Sequence, residues 1–240
     1  MNVAHLVLPA QTRQWLRRTY DAWRFDAAMR RYIVDPAAAI EPDSGVLAEL
    51  IAAWGNSGWS AQEEYLRLCI AHALASRGPT LECGSGLSTL LLGVVAARRG
   101  YEHWALEHLP AWADKVMRAA TRHRIHAARV CDAPLRSYAG YTWYDTASLP
   151  LPQPFAMVVC DGPPADTPGG RYGLVPVLRD SLQPGCVILL DDAEREHERA
   201  IARRWQTELG ATHEVIGRHK PFIRMVVESP STMAQWRKAG

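Results

Sequence analysis

Five short apolar runs in this chain each deliver a carboxylate at their C-terminal end. PTLE closes on Glu82, HWALE on Glu107, HAARV leads into Asp132, FAMVVC into Asp161, and CVILL into Asp191 and Asp192. Each run is too short for a helix and suits a buried strand, and helix-length segments separate most of them. Strands that alternate with helices build a parallel sheet, whose C-terminal strand ends lie along one edge. Ligands of such sheets bind outside that edge, so the six carboxylates are expected to ring one crevice.

The first run continues into CGSGLSTLLLG, a glycine turn followed by a second apolar segment. Gly84 and Gly86 remove the Cβ atoms that would hold a ligand away from the backbone. Ser85 lies between them, and Ser88 and Thr89 suit the first turn of a helix whose free N–H groups point at that ligand. A nucleotide-like ligand is the first expectation, with a plain strand-to-helix turn as the alternative. The third glycine of the dinucleotide fingerprint is absent, its place taken by Thr89. Glu107 follows Gly84 by 23 positions, close to the roughly 20-residue offset at which an acid accepts from ribose hydroxyls. That spacing narrows the ligand to a nucleoside. Asp132 suits either an adenine amino group or the start of a turn before Pro134.

Upstream, Trp15, Leu16, Tyr20, Trp23, Phe25, Ala28 and Met29 recur at helical steps until Asp35 and Pro36 break the pattern. A second helical piece covers Gly45 to Trp54, and a third Ser60 to Ser76, with Ser60 as N-cap and Glu63 closing a capping box. The expected division is a helical cap over 1–58, a core over 59–229 and a tail over 230–240. Within the core, Asp132 to Gln153 reads as turn-rich, Tyr172 to Asp180 and Ala193 to Leu209 as helices, and HEVIGR with FIRMVVE as a closing antiparallel hairpin.

At 240 residues the chain suits one domain with an appendage. A formal charge of +2 makes no case for nucleic acid, and Asp21 and Asp26 interrupt the N-terminal arginines. No run approaches the roughly 18 apolar residues of a membrane helix. Five cysteines without C-x-x-C spacing read as core residues in a reducing compartment, so a cytoplasmic protein is expected.

The acid before G-x-G and the acid ending the second strand resemble the class I S-adenosylmethionine-dependent methyltransferases, over roughly Trp59 to Glu228. The resemblance implies an α/β, Rossmann-like sheet of seven strands, mostly parallel with the last antiparallel. It implies S-adenosylmethionine as cofactor, with Glu82, Gly84, Ser85 and Gly86 bordering its methionine part, Glu107 its ribose and Asp132 its adenine. Trp59, Ser88, Thr89, His108 and Asp161 complete the expected cofactor contacts. Ser88 stands where many relatives carry another glycine.

CDGPP, GGRYG and PGCVILLDDAERE look like a bacterial small-molecule methyltransferase subgroup. In metal-dependent O-methyltransferases an acid after strand four and an Asp-Asp or Asp-Asn pair after strand five hold magnesium, and Asp161, Asp191 and Asp192 match those places. Asp191 with Glu194 also reads as a helix N-cap box, and Asp161-Gly162-Pro163 as a turn. If no metal binds, Asp161 is the candidate catalytic base and His108 the second. Gly162 to Tyr172 reads as a mobile flap hinged at Gly169 and Gly170, and Trp59, Tyr141, Trp143 and Tyr144 as rim aromatics or core.

The expected activity is methyl transfer to an oxygen, less readily a nitrogen, of a small-molecule acceptor. A nicotinamide-dependent oxidoreductase and a noncatalytic nucleoside-binding module are the rivals. Nucleic acid and membrane are not expected partners, and a homodimer is compatible with the chain.

Overall fold

The computed structural model describes residues 9–55 and 61–228. Trp59 and Ser60, singled out above, lie outside the described residues. The strands in chain order are β1 (Thr80–Cys83), β2 (His103–Glu107), β3 (Ala128–Asp132), β4 (Leu135–Tyr138), β5 (Tyr141–Tyr144), β6 (Phe155–Cys160), β7 (Leu182–Leu190), β8 (Ala211–Ile216) and β9 (Phe222–Val227). Seven of them form one sheet in the order β3-β2-β1-β6-β7-β9-β8, and β4 pairs with β5 in a separate antiparallel hairpin. Strand β9 runs antiparallel to both β7 and β8, while the β3-β2-β1-β6-β7 pairs are parallel.

Strands β1 and β6 are buried along their whole length, as expected of central parallel strands covered on both faces. Side-chain alternation divides the apolar residues into two clusters. Met157, Val159 and Leu189 belong to one, and Leu81, Val158 and Ile188 to the other. On the first face lie α3 (Glu63–Ala75), α4 (Leu87–Arg99) and α5 (Pro110–Arg122); on the second, α6 (Leu174–Leu178), α7 (Glu196–Leu209) and the β4-β5 hairpin.

The N-terminal helices α1 (Ala10–Val34) and α2 (Val46–Trp54) share the first cluster. Phe25, Ala28, Met29 and Tyr32 form the buried face of α1, and the Tyr32 hydroxyl donates to the Leu91 carbonyl of α4 at 3.0 Å. Among the described residues no helix is long and apolar enough to cross a membrane.

Several local expectations need correction. Helix α3 begins at Glu63 with Gln62 as N-cap, so Glu63 closes no capping box and instead pairs with Arg67 one turn later. Strand β3 starts two residues later than HAARV suggests, in the register that sets Asp132 opposite Glu107. The turn-rich segment contains the β4-β5 hairpin, whose four-residue strands carry too little apolar alternation to be read alone. The segment expected as a flap is packed instead: residues 170–173 form a buried 3₁₀ turn, with Gly169 against Tyr141 and Gly170 against His197.

Gly93, inside α4, packs directly on Ile125 and on Ala128 at the start of β3. A Cβ there would lie 2.7 Å from both the Ala128 Cβ and the Ile125 Cγ2. Gly93→Ala gains about 1 kcal/mol of helix propensity against overpacking of about 1–3 kcal/mol. A net loss of roughly 1 kcal/mol is expected, read from the denaturant midpoint at unchanged slope. A rise in the midpoint would mean that Ile125 and Ala128 yield freely.

Candidate functional site

A cavity of about 580 Å³ opens beyond the C-terminal ends of the parallel strands, within the range of small-molecule sites. Its walls come from the segments after β1, β2, β6 and β7, and from Lys220 in the β8-β9 turn. Because β8 pairs antiparallel with β9, it ends at this same edge and its turn projects there.

After β1 the chain turns at Gly84, which has φ +90°; a Cβ would lie 3.4 Å from the Gly162 nitrogen. The positive φ is what calls for glycine here, since the contact with Gly162 would be an ordinary one. Glu82 does the work of a brace. Its carboxylate accepts from the Ser88 hydroxyl, from the Thr89 hydroxyl at 2.6 Å, and faces His103 Nε2 at 3.1 Å. Thr89 in turn accepts from the Gly86 N–H at 2.9 Å, which fastens the glycine turn to the helix. Glu82, Gly84, Ser85, Gly86 and Ser88 line the cavity as expected, whereas Thr89 is fully buried behind the turn and does not. The buried His103, bridging Thr80 and Glu82, was not foreseen; a lone histidine opening a strand carries no local signal.

Glu107 sits on the cavity wall, 4% exposed. Its Oε2 accepts from the Ser85 N–H at 3.1 Å and the Ser85 hydroxyl at 2.8 Å, and its Oε1 from the Leu109 N–H at 2.9 Å. The carboxylate is thereby oriented while retaining acceptor capacity for a ligand hydroxyl. Next to it, His108 lines the cavity with Nδ1 buried and unpartnered, 3.3 Å from Glu107 Oε1 but without hydrogen-bond geometry. Tyr144 also lines the cavity. Its hydroxyl, against Gly162, is buried and finds no partner. Burial pushes the Tyr144 phenol well above its usual range, so it stays a donor.

Two other aromatics belong to the cavity and were missed. Trp54 comes from α2 and Trp112 from the first turn of α5; their rings meet edge to face, with Lys115 Nζ 4.3 and 4.2 Å from the two centroids. Trp112 also donates from Nε1 to the Ser85 carbonyl at 2.6 Å. Its position just after Glu107 was the available signal; for Trp54 there was none. Trp143 is core, packed on Gly173, and Tyr141 packs against Gly169 rather than the cavity. Asp132 is exposed at the end of the edge strand β3 and is not part of the cavity wall. Its expected adenine contact therefore has no geometric support.

The rim is not uniformly acidic. Asp161, Asp191 and Asp192 each offer an oxygen within 4.8 Å of one another. Arg171, 2% exposed, reaches into this group and donates to Asp161 Oδ1 at 3.0 Å, Asp192 Oδ2 at 2.6 Å and the Asp191 carbonyl at 2.7 Å. Lys220 Nζ lies 3.1 Å from Asp191 Oδ2 and 2.9 Å from Asp192 Oδ1, and Arg195 Nη1 lies 2.9 Å from Asp192 Oδ2. Three cations thus answer three carboxylates.

Helix α7 starts at Glu196 with Arg195 as N-cap, so Asp191 and Glu194 form no capping box. Burial opposes the Lys220 charge, yet Asp191 and Asp192 outweigh it and push the ammonium up to about 12. Desolvation pushes Asp161 up to about 6, against the pull of Arg171 and with help from Asp191 and Asp192.

The fit of a divalent ion can be judged from these donors. Asp191 Oδ1 accepts from the Asp192 N–H at 2.8 Å, so all four oxygens of Asp191 and Asp192 are engaged within the protein. Magnesium demands near-ideal octahedral oxygen coordination, and this cluster already holds its countercharge. The residues present do not fit the metal.

Neither a family model nor a curated protein matches the chain. Solved structures do resemble it. An SAH-bound methyltransferase from Podospora anserina is 12% identical, with 95% of this chain and 100% of that one covered at a TM-score of 0.55. An O-methyltransferase from Bacillus cereus in complex with SAH is 20% identical, with 81% and 97% covered at 0.52. A precorrin-6Y C5,15-methyltransferase from Geobacter metallireducens is 12% identical, with 71% and 91% covered at 0.53. The fold is that of the class I S-adenosylmethionine-dependent methyltransferases.

Proposed function

We propose that the chain is an S-adenosylmethionine-dependent methyltransferase acting on an oxygen of a small-molecule acceptor. The observation that carries this reading is the wall running from the Gly84-Gly86 turn to Glu107. It combines backbone without Cβ atoms, the N-terminus of α4 and an oriented carboxylate. The buried, unpartnered Tyr144 hydroxyl and His108 Nδ1 add two polar groups that a ligand would satisfy. SAH in the Podospora and Bacillus proteins supports the same choice of ligand.

When bound, S-adenosylmethionine supplies a methyl group on a sulfonium. Glu107 would accept from the ribose hydroxyls, and the glycine turn would receive the methionine part. Asp161, beside the turn and across the cavity from Glu107, would take the proton of the acceptor hydroxyl. Its Oδ1 is engaged by Arg171, while its other oxygen has no partner among the described residues. Methyl transfer asks little else of a protein beyond alignment and exclusion of water.

Calorimetry with SAH and with NAD tests the ligand assignment: SAH is expected to bind and NAD is not. Glu107→Ala removes a charged acceptor worth about 1.5–3 kcal/mol, so SAH affinity should fall roughly 10- to 100-fold. Asp132→Ala, outside the cavity, should change it less than about twofold. Binding of NAD without SAH would replace the methyltransferase reading with a nicotinamide enzyme.

A further inference from the structure

The cluster at the ends of β6 and β7 has the acids of a magnesium site and the cations of a finished ion-pair network. We infer that Arg171 and Lys220 are resident cations standing in for a divalent metal, so that methyl transfer at this site is metal-independent. The inference rests on the proposed methyltransferase reading for its role in the reaction, and on the side-chain geometry alone for its claim about metal.

Arg171 is placed by the buried 3₁₀ turn over 170–173 and joins both strand ends through its two Nη atoms, donating to the carboxylates of Asp161 and Asp192 and to the backbone carbonyl of Asp191. A planar guanidinium suits this task, because its fixed donors meet several oxygens at once and it remains charged when buried. To enter the cluster, a metal would have to displace it from an enclosed position, leaving the guanidinium without its carboxylates. A hydrated divalent ion offers no compensation, since it sheds its water reluctantly.

Lys220 completes the exchange from the opposite side. Its ammonium has three donors, two of them directed at Asp191 and Asp192. The side chain is 27% exposed and forms part of the cavity wall, so the third donor is available to an acceptor oxygen. A metal in this class of site orients substrate oxygens and favours loss of a proton. Here Lys220 supplies positive charge beside the acceptor position, and Asp161 supplies the base.

Titration of the full chain with Mn²⁺, followed by electron paramagnetic resonance with SAH present and absent, tests the claim. Wild-type protein is expected to give no saturable Mn²⁺ binding. One bound Mn²⁺ per chain, lost in Asp191→Asn, would overturn it. Lys220→Ala, at a partly exposed position, is expected to bind Mn²⁺ at least about tenfold more tightly than the limit wild type sets, because a cation facing two carboxylates is gone. No gain in either Lys220→Ala or Arg171→Met, each checked for folded structure by circular dichroism, would also overturn it. Failure of SAH to bind in the same samples would count against the methyltransferase reading while leaving the metal result intact.

Discussion

Arg171→Met is expected to destabilise the protein by about 3–5 kcal/mol, the cost of breaking a buried charge network from one side. Methionine keeps the apolar stem but removes the guanidinium, and leaves Asp161 and Asp192 facing one another with only Lys220 and Arg195 nearby. The Arg171 charge is well adapted to its position: burial opposes it, but Asp161 and Asp192 together hold its pKa above the ordinary value. A typical domain has about 5–15 kcal/mol of total stability, so this one change would consume a large part of it. Arg195→Ala serves as the contrast. At 45% side-chain exposure its pair with Asp192 is screened, and a loss below about 1 kcal/mol is expected. Urea unfolding followed by tryptophan fluorescence reads both. Equal, small losses would show that solvent relaxes the buried cluster and that Arg171 is not its keystone.

Asp161→Asn should lower turnover by about 10²- to 10⁴-fold, the usual contribution of a positioned general base, with SAH affinity within a few-fold of wild type. Asparagine keeps the shape and still accepts from Arg171, but cannot take a proton at neutral pH. The pH dependence follows with a definite sign. Desolvation, assisted by Asp191 and Asp192 and resisted by Arg171, raises the Asp161 pKa from 3.8 to about 6. The base is active when ionised, so wild-type kcat/KM should rise with pH through about 6 and then level. The variant should lack that rise. Release of SAH across a panel of hydroxylated acceptors is the measurement. An undiminished rate in Asp161→Asn would transfer the role to His108, whose ring also lines the wall.

The carboxylates were legible because strand ends in a parallel sheet are marked by the change from apolar to polar residues. Glu82, Glu107 and Asp161 indeed reach the cavity. Their number misled the electrostatic expectation. Arg171 and Lys220 lie 10 and 59 positions beyond Asp161 in a 3₁₀ turn and a hairpin turn, and neither segment has a periodicity that directs a side chain. The same limit explains Trp54, whose helix is 53 positions from Glu107 in the chain yet helps to close the cavity.

By itself, the sequence determined the alternation of strands and helices, the glycine turn after β1 and the acid at the end of β2. Each is a local matter of period, φ preference or spacing, fixed within a few residues of chain. Only the tertiary structure decided the charge of the rim. Insertion of β9 between β7 and β8 brings the Lys220 turn to the strand-end edge, and packing of residues 170–173 buries Arg171 beneath it. Charge compensation depends on which side chains meet in space, and those meetings are set by strand order and burial rather than by neighbouring residues.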